Sequence, residues 1–476
     1  MRKRDQESPP RDRSRLKHQP FRFPLHPRSL TILRRAVKDH SAEVDRISQG
    51  RSLLVRAQAE KLLSLLRAVV VSNPFYRGKL SGLDHGGVPG EALERILDRL
   101  PFTTKEELLE DQADAPPFGR NLTCPLERYT RFHQTSGTSG RPLRWIDTPE
   151  SWGWVVSAWE EVYRAAGVTE SDRVFFPFSF GPFLGFWAAF EAASSAGCLS
   201  IAGGGLSTLA RLRLLLDSRA TVLAATPTYA LYMAQTARAQ GIDITSSEVR
   251  MLIVAGEPGG SIPSTRARME EAWGARVFDH CGLTEVGPFG LECQAGPGGM
   301  HALEREFVIE VIDPKTRSRL EPQVESQGMV EGELVVTSLG RTASPVIRYR
   351  TGDIVRWSLR PCPCGRPWGR FEGGILARMD DMVFLRGNNL YPSAVEAILR
   401  KFPEIAEYRV TLRKLGEMTS LGIEVEPHPG SSEQLGGRVS RAVESELLFR
   451  AEVKLVPEGS LPRFELKGKR FIKEGF

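Results

Sequence analysis

The chain has 476 residues, too long for one small module, and its length argues for two to four domains or one large domain with a smaller companion. Apolar residues at 41% and charged residues at 26%, with Gly 45 and Pro 32 scattered as punctuation, exclude collagen, mucin and coiled-coil classes and describe an ordinary globular protein. The net charge of +6 raises the question of nucleic acid, but it is concentrated at one end. Met1 to Arg35 carries eleven Lys or Arg against Asp5, Glu7 and Asp12, about +8, which leaves the remaining chain about two units negative. A nucleic-acid binder would carry its basic residues and aromatics on the folded body, so no nucleic-acid partner is expected.

That opening stretch, residues 1–35, is rich in Pro and Arg and lacks an apolar run, and is expected to be a disordered basic tail. No apolar core follows Arg4 as in a secretory signal, and the three acids are unlike a transit peptide. No segment supplies the roughly 18 uninterrupted apolar residues of a membrane helix. Six cysteines at irregular spacing point to a reducing, cytoplasmic setting. From Ala57 to Val71 apolar residues recur at helical spacing and stop at Pro74. Through residues 150–280, helical stretches alternate with short apolar runs at Val174–Phe176, Thr221–Ala225, Met251–Ala255 and Ala275–Phe278, the pattern of βα units around a largely parallel sheet. Phe307 to Trp357 reads as β-rich runs joined by turns, and after Arg378 the texture becomes strand, Gly turn, helix, so a domain boundary is placed near residue 379.

The segment HQTSGTSGRP, His133–Pro142, sets Gly137 and Gly140 among Ser and Thr hydroxyls, a loop whose N–H and O–H groups suit phosphate oxygens. It is not a P-loop, since the lysine is absent. Downstream lie AGEPGG (Ala255–Gly260), DHCGLTEVG (Asp279–Gly287), RYRTGD (Arg348–Asp353), LARMDDMVFLRGNNLYP (Leu376–Pro392) and LPRFELKGKR (Leu461–Arg470). In this order and at these separations, over roughly residues 57–475, the chain resembles the AMP-forming adenylate synthetases, and most closely their phenylacetate-CoA ligase branch.

The resemblance implies an adenylate-forming enzyme fold: a large N-terminal domain (36–378) of α/β subdomains with a β-rich subdomain, and a small mobile C-terminal α+β lid (379–476). It implies that a carboxylic acid, aromatic and phenylacetate-like, attacks the α-phosphate of ATP, and that coenzyme A thiol then displaces AMP. ATP, Mg²⁺ and coenzyme A are the implied reactants and cofactors; homodimerisation is left open. The phosphate donors would be Thr135, Ser136, Gly137, Thr138, Ser139 and Gly140, with Arg141 where the branch usually has Lys. Thr284 would meet the α-phosphate and Glu285 the Mg²⁺. Asp353 would accept the ribose hydroxyls, Arg378 would lie beside ribose and α-phosphate, and Gly256, Glu257 and Pro258 would border the adenine. The stretch Asp279, His280, Cys281 also belongs to the nucleotide site, with Cys281 where the family often has an adenine-stacking Tyr. His280 and Cys281 do not make a nucleophile pair, because adjacent strand residues point to opposite faces. Lys467 would bridge the carboxylate and α-phosphate, with Lys469 in reserve; Asp380 is the hinge and Gly387 lines the coenzyme A channel.

The run VFFPFSFGPFLGFW, Val174–Trp187, aligns with the family's substrate wall, so Phe178, Phe180, Phe183 and Phe186 are expected either to line an acyl slot or to pack the core. Cys293, His301, Cys362 and Cys364 make three thiolates and an imidazole, a closed set suited to structural Zn²⁺, the alternative being four unconnected residues. Cys124 and Cys198 have no such partners. Two other functions stand beside the main one. An adenylating enzyme could pass the acyl group to a carrier protein or amine, and a non-catalytic nucleotide- or acyl-binding homologue would account for Cys281 and for Leu466 where the family has Gly.

Overall fold

The computed structural model describes the backbone of residues 27–83, 90–135, 141–322, 328–381, 383–385, 388–415, 418–447, 450–464 and 468–474, with side chains from residue 49 onward except 380, 382–389 and 414–419. Met1–Ser48 and Gln49–Phe476 are separate compact units. The helix expected over Ala57–Val71 is the end of a longer one, Pro27–Ser72, so the tail expected through Arg35 is already helical from Pro27. Proline suits a first helical position, and Leu30, Leu33 and Val37 carry apolar residues on at helical spacing, a signal masked by the surrounding charge.

In chain order the strands are β1 (Arg131–Gln134), β2 (Arg144–Asp147), β3 (Arg173–Phe176), β4 (Leu199–Ala202), β5 (Val222–Ala225), β6 (Met251–Val254), β7 (Arg276–Leu283), β8 (Gly287–Leu291), β9 (Gly299–Ala302) and β10 (Phe307–Ile312). They continue with β11 (Met329–Ser338), β12 (Tyr349–Ser358), β13 (Arg370–Arg378), β14 (Val383–Leu385), β15 (Asn388–Leu390), β16 (Ile405–Leu415), β17 (Met418–Pro427), β18 (Glu452–Leu455) and β19 (Phe471–Glu474). Eleven of them form one sheet in the order β10-β11-β12-β13-β9-β8-β7-β6-β5-β3-β4. The parallel run expected from the apolar segments is present, β3 pairing in parallel with β4 and β5, β5 with β6, and β6 with β7. Of these, β3, β5 and β6 are buried on both faces, and their residues alternate between two cores, while β4 is a more exposed edge strand. Val174, Phe176, Val222, Ala224, Met251 and Ile253 enter one with the helix Pro149–Ala166, while Phe175, Leu223, Ala225, Leu252 and Val254 enter the other with the helices Thr208–Asp217, Pro227–Ala239 and Pro263–Trp273.

The β-rich stretch is not a detached layer. Strand β7 is shared: residues Arg276–Asp279 pair in parallel with β6, and His280–Leu283 pair antiparallel with β8. The sheet thus changes character at Asp279–His280, and such switch points leave a crevice at strand ends where ligands bind. Past residue 400 a separate four-stranded sheet, β18-β17-β16-β19, is covered by the helices Pro392–Leu399 and Leu435–Leu447 around Val395, Val410, Ile423 and Val439. Among the described residues no helix is long and apolar enough to cross a membrane.

Candidate active site and metal centre

The antiparallel hairpin β1–β2 presents the Ser/Thr/Gly loop, and Thr135 closes its base. Thr135 N donates to the Leu143 carbonyl and its Oγ1 accepts from Leu143 N, each at 2.9 Å. Residues Ser136–Gly140 lie outside the described residues, as do Gly387 and Lys467. Just before the loop, Gln134 N donates to the Pro182 carbonyl at 2.8 Å, which ties the hairpin to the aromatic run.

The turn between β7 and β8 carries Thr284 and Glu285. Glu285 is buried, and its Oε1 accepts from the Tyr349 hydroxyl at 2.6 Å. Burial, with the Glu285 charge beside it, pushes the Tyr349 phenol well above its ordinary range, so it stays a donor. Tyr349 opens β12, and four residues on the same strand presents Asp353. Asp353 stands opposite Arg378 in the β12–β13 register, and Arg378 Nε reaches Asp353 Oδ1 at 2.9 Å while Nη2 donates to the Thr351 carbonyl at 3.2 Å. The alternative partners weighed from sequence, Asp380 and Asp381, follow in the short turn Met379–Asp381. Asp381 is exposed, and Lys469 is exposed as well.

Sequence reasoning missed what holds the Thr284 turn. Arg341 and Asp147 are both fully buried: Nε meets Oδ1 at 2.7 Å and Nη2 meets Oδ2 at 2.5 Å, while Nη1 donates to the Thr284 carbonyl at 2.6 Å. The planar guanidinium therefore clamps the phosphate-loop hairpin to the Thr-Glu turn through a bidentate pair. It also lies over the Trp145 ring, 5.5 Å from its centroid. The pair is 194 residues apart in sequence, and no local pattern announces it.

Asp279, His280 and Cys281 are all buried where β7 changes partners. Burial pushes the Asp279 carboxyl up to about 7; the Ser261 hydroxyl, donating to Oδ2 at 2.6 Å, opposes this, and nearby Glu292 adds to it. His280 Nδ1–H donates to the Gly290 carbonyl at 2.6 Å, its ring lies 4.2 Å from that of Trp159, and burial lowers it to about 4. Burial likewise raises the Cys281 thiol well above its usual range, and its Sγ packs against Gly290 so closely that a Cβ there would come within 2.2 Å. A neutral thiol beside a neutral imidazole turned to the next strand makes no nucleophile.

Gly256 has φ +96°, the left-handed region that favours glycine, and it turns the chain into Glu257 and Pro258. Glu257 does not point away from protein. Its Oε1 accepts from Thr228 N at 2.7 Å and its Oε2 from Gly468 N at 2.8 Å, across to the C-terminal segment. The aromatic run forms a continuous cluster: Phe178 stacks on Phe186 with centroids 4.1 Å apart, Phe180 lies 5.5 Å from Phe178, and Phe183 lies 5.9 Å from Phe186. Phe178 belongs to the sheet core, whereas Phe180 and Phe183 are half-buried.

The four metal-ligating residues come together from β9, the segment after β8 and the loop between β12 and β13, their ligand atoms all within 4.8 Å of one another. Cys293 Sγ lies 3.6 Å from Cys362 Sγ, and Cys364 Sγ lies 3.3 Å from His301 Nε2. Tetrahedral Zn²⁺ with Zn–S about 2.3 Å sets ligand atoms about 3.5 to 3.8 Å apart, so the set fits with little adjustment. His301 Nδ1 lies 3.3 Å from the Trp368 carbonyl, which leaves Nε2 facing the thiols. Hydrogen bonding among the sulfurs lowers Cys364 and Cys293 and raises Cys362, and, against burial, the thiols raise His301, so the four groups share protons that a metal ion would have to displace. All six cysteines are free of disulfides.

Comparison with known proteins matches residues 80–342 to the AMP-binding enzyme family and residues 387–474 to the AMP-binding enzyme C-terminal domain. Phenylacetate-coenzyme A ligase of Aromatoleum evansii is 32% identical over 87% of this chain and 93% of that protein. The chain belongs to the phenylacetate-CoA ligase family of AMP-binding enzymes. The Thermus thermophilus phenylacetate-coenzyme A ligase is 30% identical, over 87% of this chain and 95% of its own. Among solved structures, 2-hydroxyisobutyryl-CoA ligase in its postadenylation state, complexed with 2-HIB-AMP, overlays with a TM-score of 0.82 at 29% identity, covering 88% and 90% of the two chains. The same ligase in its thioesterification state, at the same identity and with 88% and 89% covered, reaches only 0.64. The arrangement of the present chain is thus nearer the postadenylation one. Family membership makes the protein an AMP-forming acid–CoA ligase, with the adenylate-forming fold expected from its motifs.

Proposed function

We propose that the acid this ligase activates is aromatic and phenylacetate-like, and that Phe178, Phe180 and Phe183 face it. The observation that carries this reading is the tie from Gln134 to Pro182, which holds the aromatic cluster beside the base of the phosphate loop, together with relatives named as phenylacetate-CoA ligases. An acid seated among those rings would have its carboxylate near the loop, where it can attack the α-phosphate.

In this account Thr135, the loop Ser136–Gly140 and Thr284 donate to phosphate oxygens as charge builds on the departing pyrophosphate. Glu285, held by Tyr349, would hold Mg²⁺, which supplies further neutralisation of that charge. Asp353 accepts the ribose hydroxyls, and Arg378 releases Asp353 in part to lie beside the α-phosphate. Gly256 and Pro258, with Asp279 to Cys281, border the purine. Lys467 bridges carboxylate and α-phosphate. The lid, residues 379–476, then turns about Asp380 so that coenzyme A reaches the adenylate along Gly387, and thiolate attack on the acyl carbon expels AMP. Cys293, His301, Cys362 and Cys364 would hold a structural Zn²⁺ that cross-links the strands behind Asp279; with four protein ligands it has no open position for chemistry.

The test is Lys467→Ala with Lys469→Ala as comparison. Loss of acid-dependent ATP–pyrophosphate exchange in the first alone is expected. Unchanged exchange in Lys467→Ala removes that role. Acid-dependent pyrophosphate release that proceeds to an amine or carrier thiol and ignores coenzyme A would favour the other acceptors.

A further inference from the structure

We propose that Glu257 is a positioning residue that latches the lid for adenylation, fixing the backbone next to Lys467, and must let go before thioester formation. The proposal rests on the two-step reading above and adds to it the residues that hold the first state.

Glu257 does two jobs with one carboxylate. The helix Pro227–Ala239 begins with Thr226 as its cap and Pro227 at its first position, so Thr228 N is one of the helix's unpaired donors. Glu257 Oε1 takes that donor at 2.7 Å, an anion at a helix N-terminus. Its Oε2 accepts from Gly468 N at 2.8 Å, in the chain segment that follows Lys467 directly. A second tie lies beside it: Arg470 Nη1 donates to Thr228 Oγ1 at 2.9 Å. Arg470 is rigid, because Nε and Nη2 grip Glu407 at 2.6 and 2.9 Å and its own carbonyl accepts from Val410 N at 2.7 Å. Glycine at 468 suits the close approach, since a Cβ would meet Arg470 Nη1 at 2.0 Å and Thr228 Oγ1 at 3.2 Å.

Two bonds from the lid, at Gly468 and Arg470, hold this segment on one helix terminus. Both must break if the lid turns. Glu257 Oε2 then passes to water, and because burial pushes the docked carboxyl above its ordinary range, that hydration offsets part of the lost bond and lets the latch release. The nearer fit to a postadenylation arrangement (0.82) than to a thioesterification arrangement (0.64) of one relative agrees with a latched lid. The expectation that Glu257 serves the adenine is replaced here by a role on the lid, because both its oxygens are engaged by backbone N–H groups.

The experiment uses the full chain and two near-isosteric variants, Glu257→Gln and Thr228→Val. Three readouts are taken: ATP–pyrophosphate exchange with the acid that supports it, thioester formation from synthetic acyl adenylate and coenzyme A, and hydrogen exchange of the peptide spanning Gly468–Arg470. Glu257→Gln should lower exchange kcat about ten- to a hundredfold, the scale of losing one charge-assisted hydrogen bond, with KM for ATP within about twofold. Thioester formation from the adenylate should stay at or above half the wild-type rate. Thr228→Val should move in the same direction by about threefold to tenfold. In both variants the Gly468–Arg470 amides should lose protection. Equal losses in both half-reactions, a loss confined to KM for ATP, or unchanged amide protection would overturn the latch. Wild-type protein without acid-dependent exchange would instead overturn the functional reading, and amide protection would still decide whether Glu257 holds the lid.

Discussion

Replacing Arg341 by Ala removes a guanidinium that is fully buried and bonded at 2.7 and 2.5 Å to Asp147 and at 2.6 Å to the Thr284 carbonyl. What remains is a carboxylate with no exposure and no countercharge, together with a turn carbonyl that has lost its donor. Breaking a buried pair from one side typically costs about 3–5 kcal/mol, most of it the penalty of the stranded charge. With a urea dependence of about 3 kcal/mol per molar, the unfolding midpoint should fall by roughly 1 to 1.7 M. Intrinsic fluorescence suits the measurement, because Trp145 lies beneath the guanidinium. Asp147→Ala should cost a similar amount, while the double variant should cost far less than the sum, a coupling of at least about 2 kcal/mol. A midpoint for Arg341→Ala within about 0.3 M of wild type, less than about 1 kcal/mol at that dependence, would refute the clamp.

Purified, unchelated protein should carry about one equivalent of zinc per chain by elemental analysis, falling severalfold in Cys364→Ser; less than about a tenth of an equivalent in wild type would remove the metal centre, since closed four-ligand sites bind tightly. Asp279, pushed up to about 7, contributes stability that is present below its unfolded value and lost as pH rises through 7. Asp279→Asn stays neutral, so its urea midpoint should gain on wild type between pH 4 and 7; a constant difference across that range would contradict the buried carboxyl. Phe178→Ala opens space beside Phe180 and Phe186, and should shift kcat/KM toward bulkier acids by about tenfold while leaving KM for ATP within about twofold; a uniform loss across all acids would return Phe178 to a packing role only.

Much of the site is legible because its parts are local. Thr284–Glu285 occupies one turn and Asp353 one strand, and the motifs that carry them lie within a few residues. The parallel strands announced themselves as continuous apolar runs, since burial on both faces leaves no polar alternation. Three features escaped for a common reason, that their partners are remote. Asp147 and Arg341 are 194 positions apart; β7 serves two sheet types at once and so fuses regions that read as separate; and Arg378 pairs with Asp353 across a strand register, 25 positions back in the chain. The helix from Pro27 escaped for another reason, because charge density masked its apolar spacing. The Cys and His residues are an intermediate case: residue type alone proposed the set, and the fold of the β8–β9 and β12–β13 connections brings their ligand atoms within 4.8 Å.

The central claim is that one chain both adenylates an aromatic acid and transfers it to coenzyme A. Incubating the protein with ATP, Mg²⁺, phenylacetate and coenzyme A, and quantifying products by mass spectrometry, tests it most directly. The account predicts AMP and phenylacetyl-CoA in equal amounts, with pyrophosphate release that depends on the acid. ADP in place of AMP, or AMP formed without thioester across a panel of aryl acids, would contradict it.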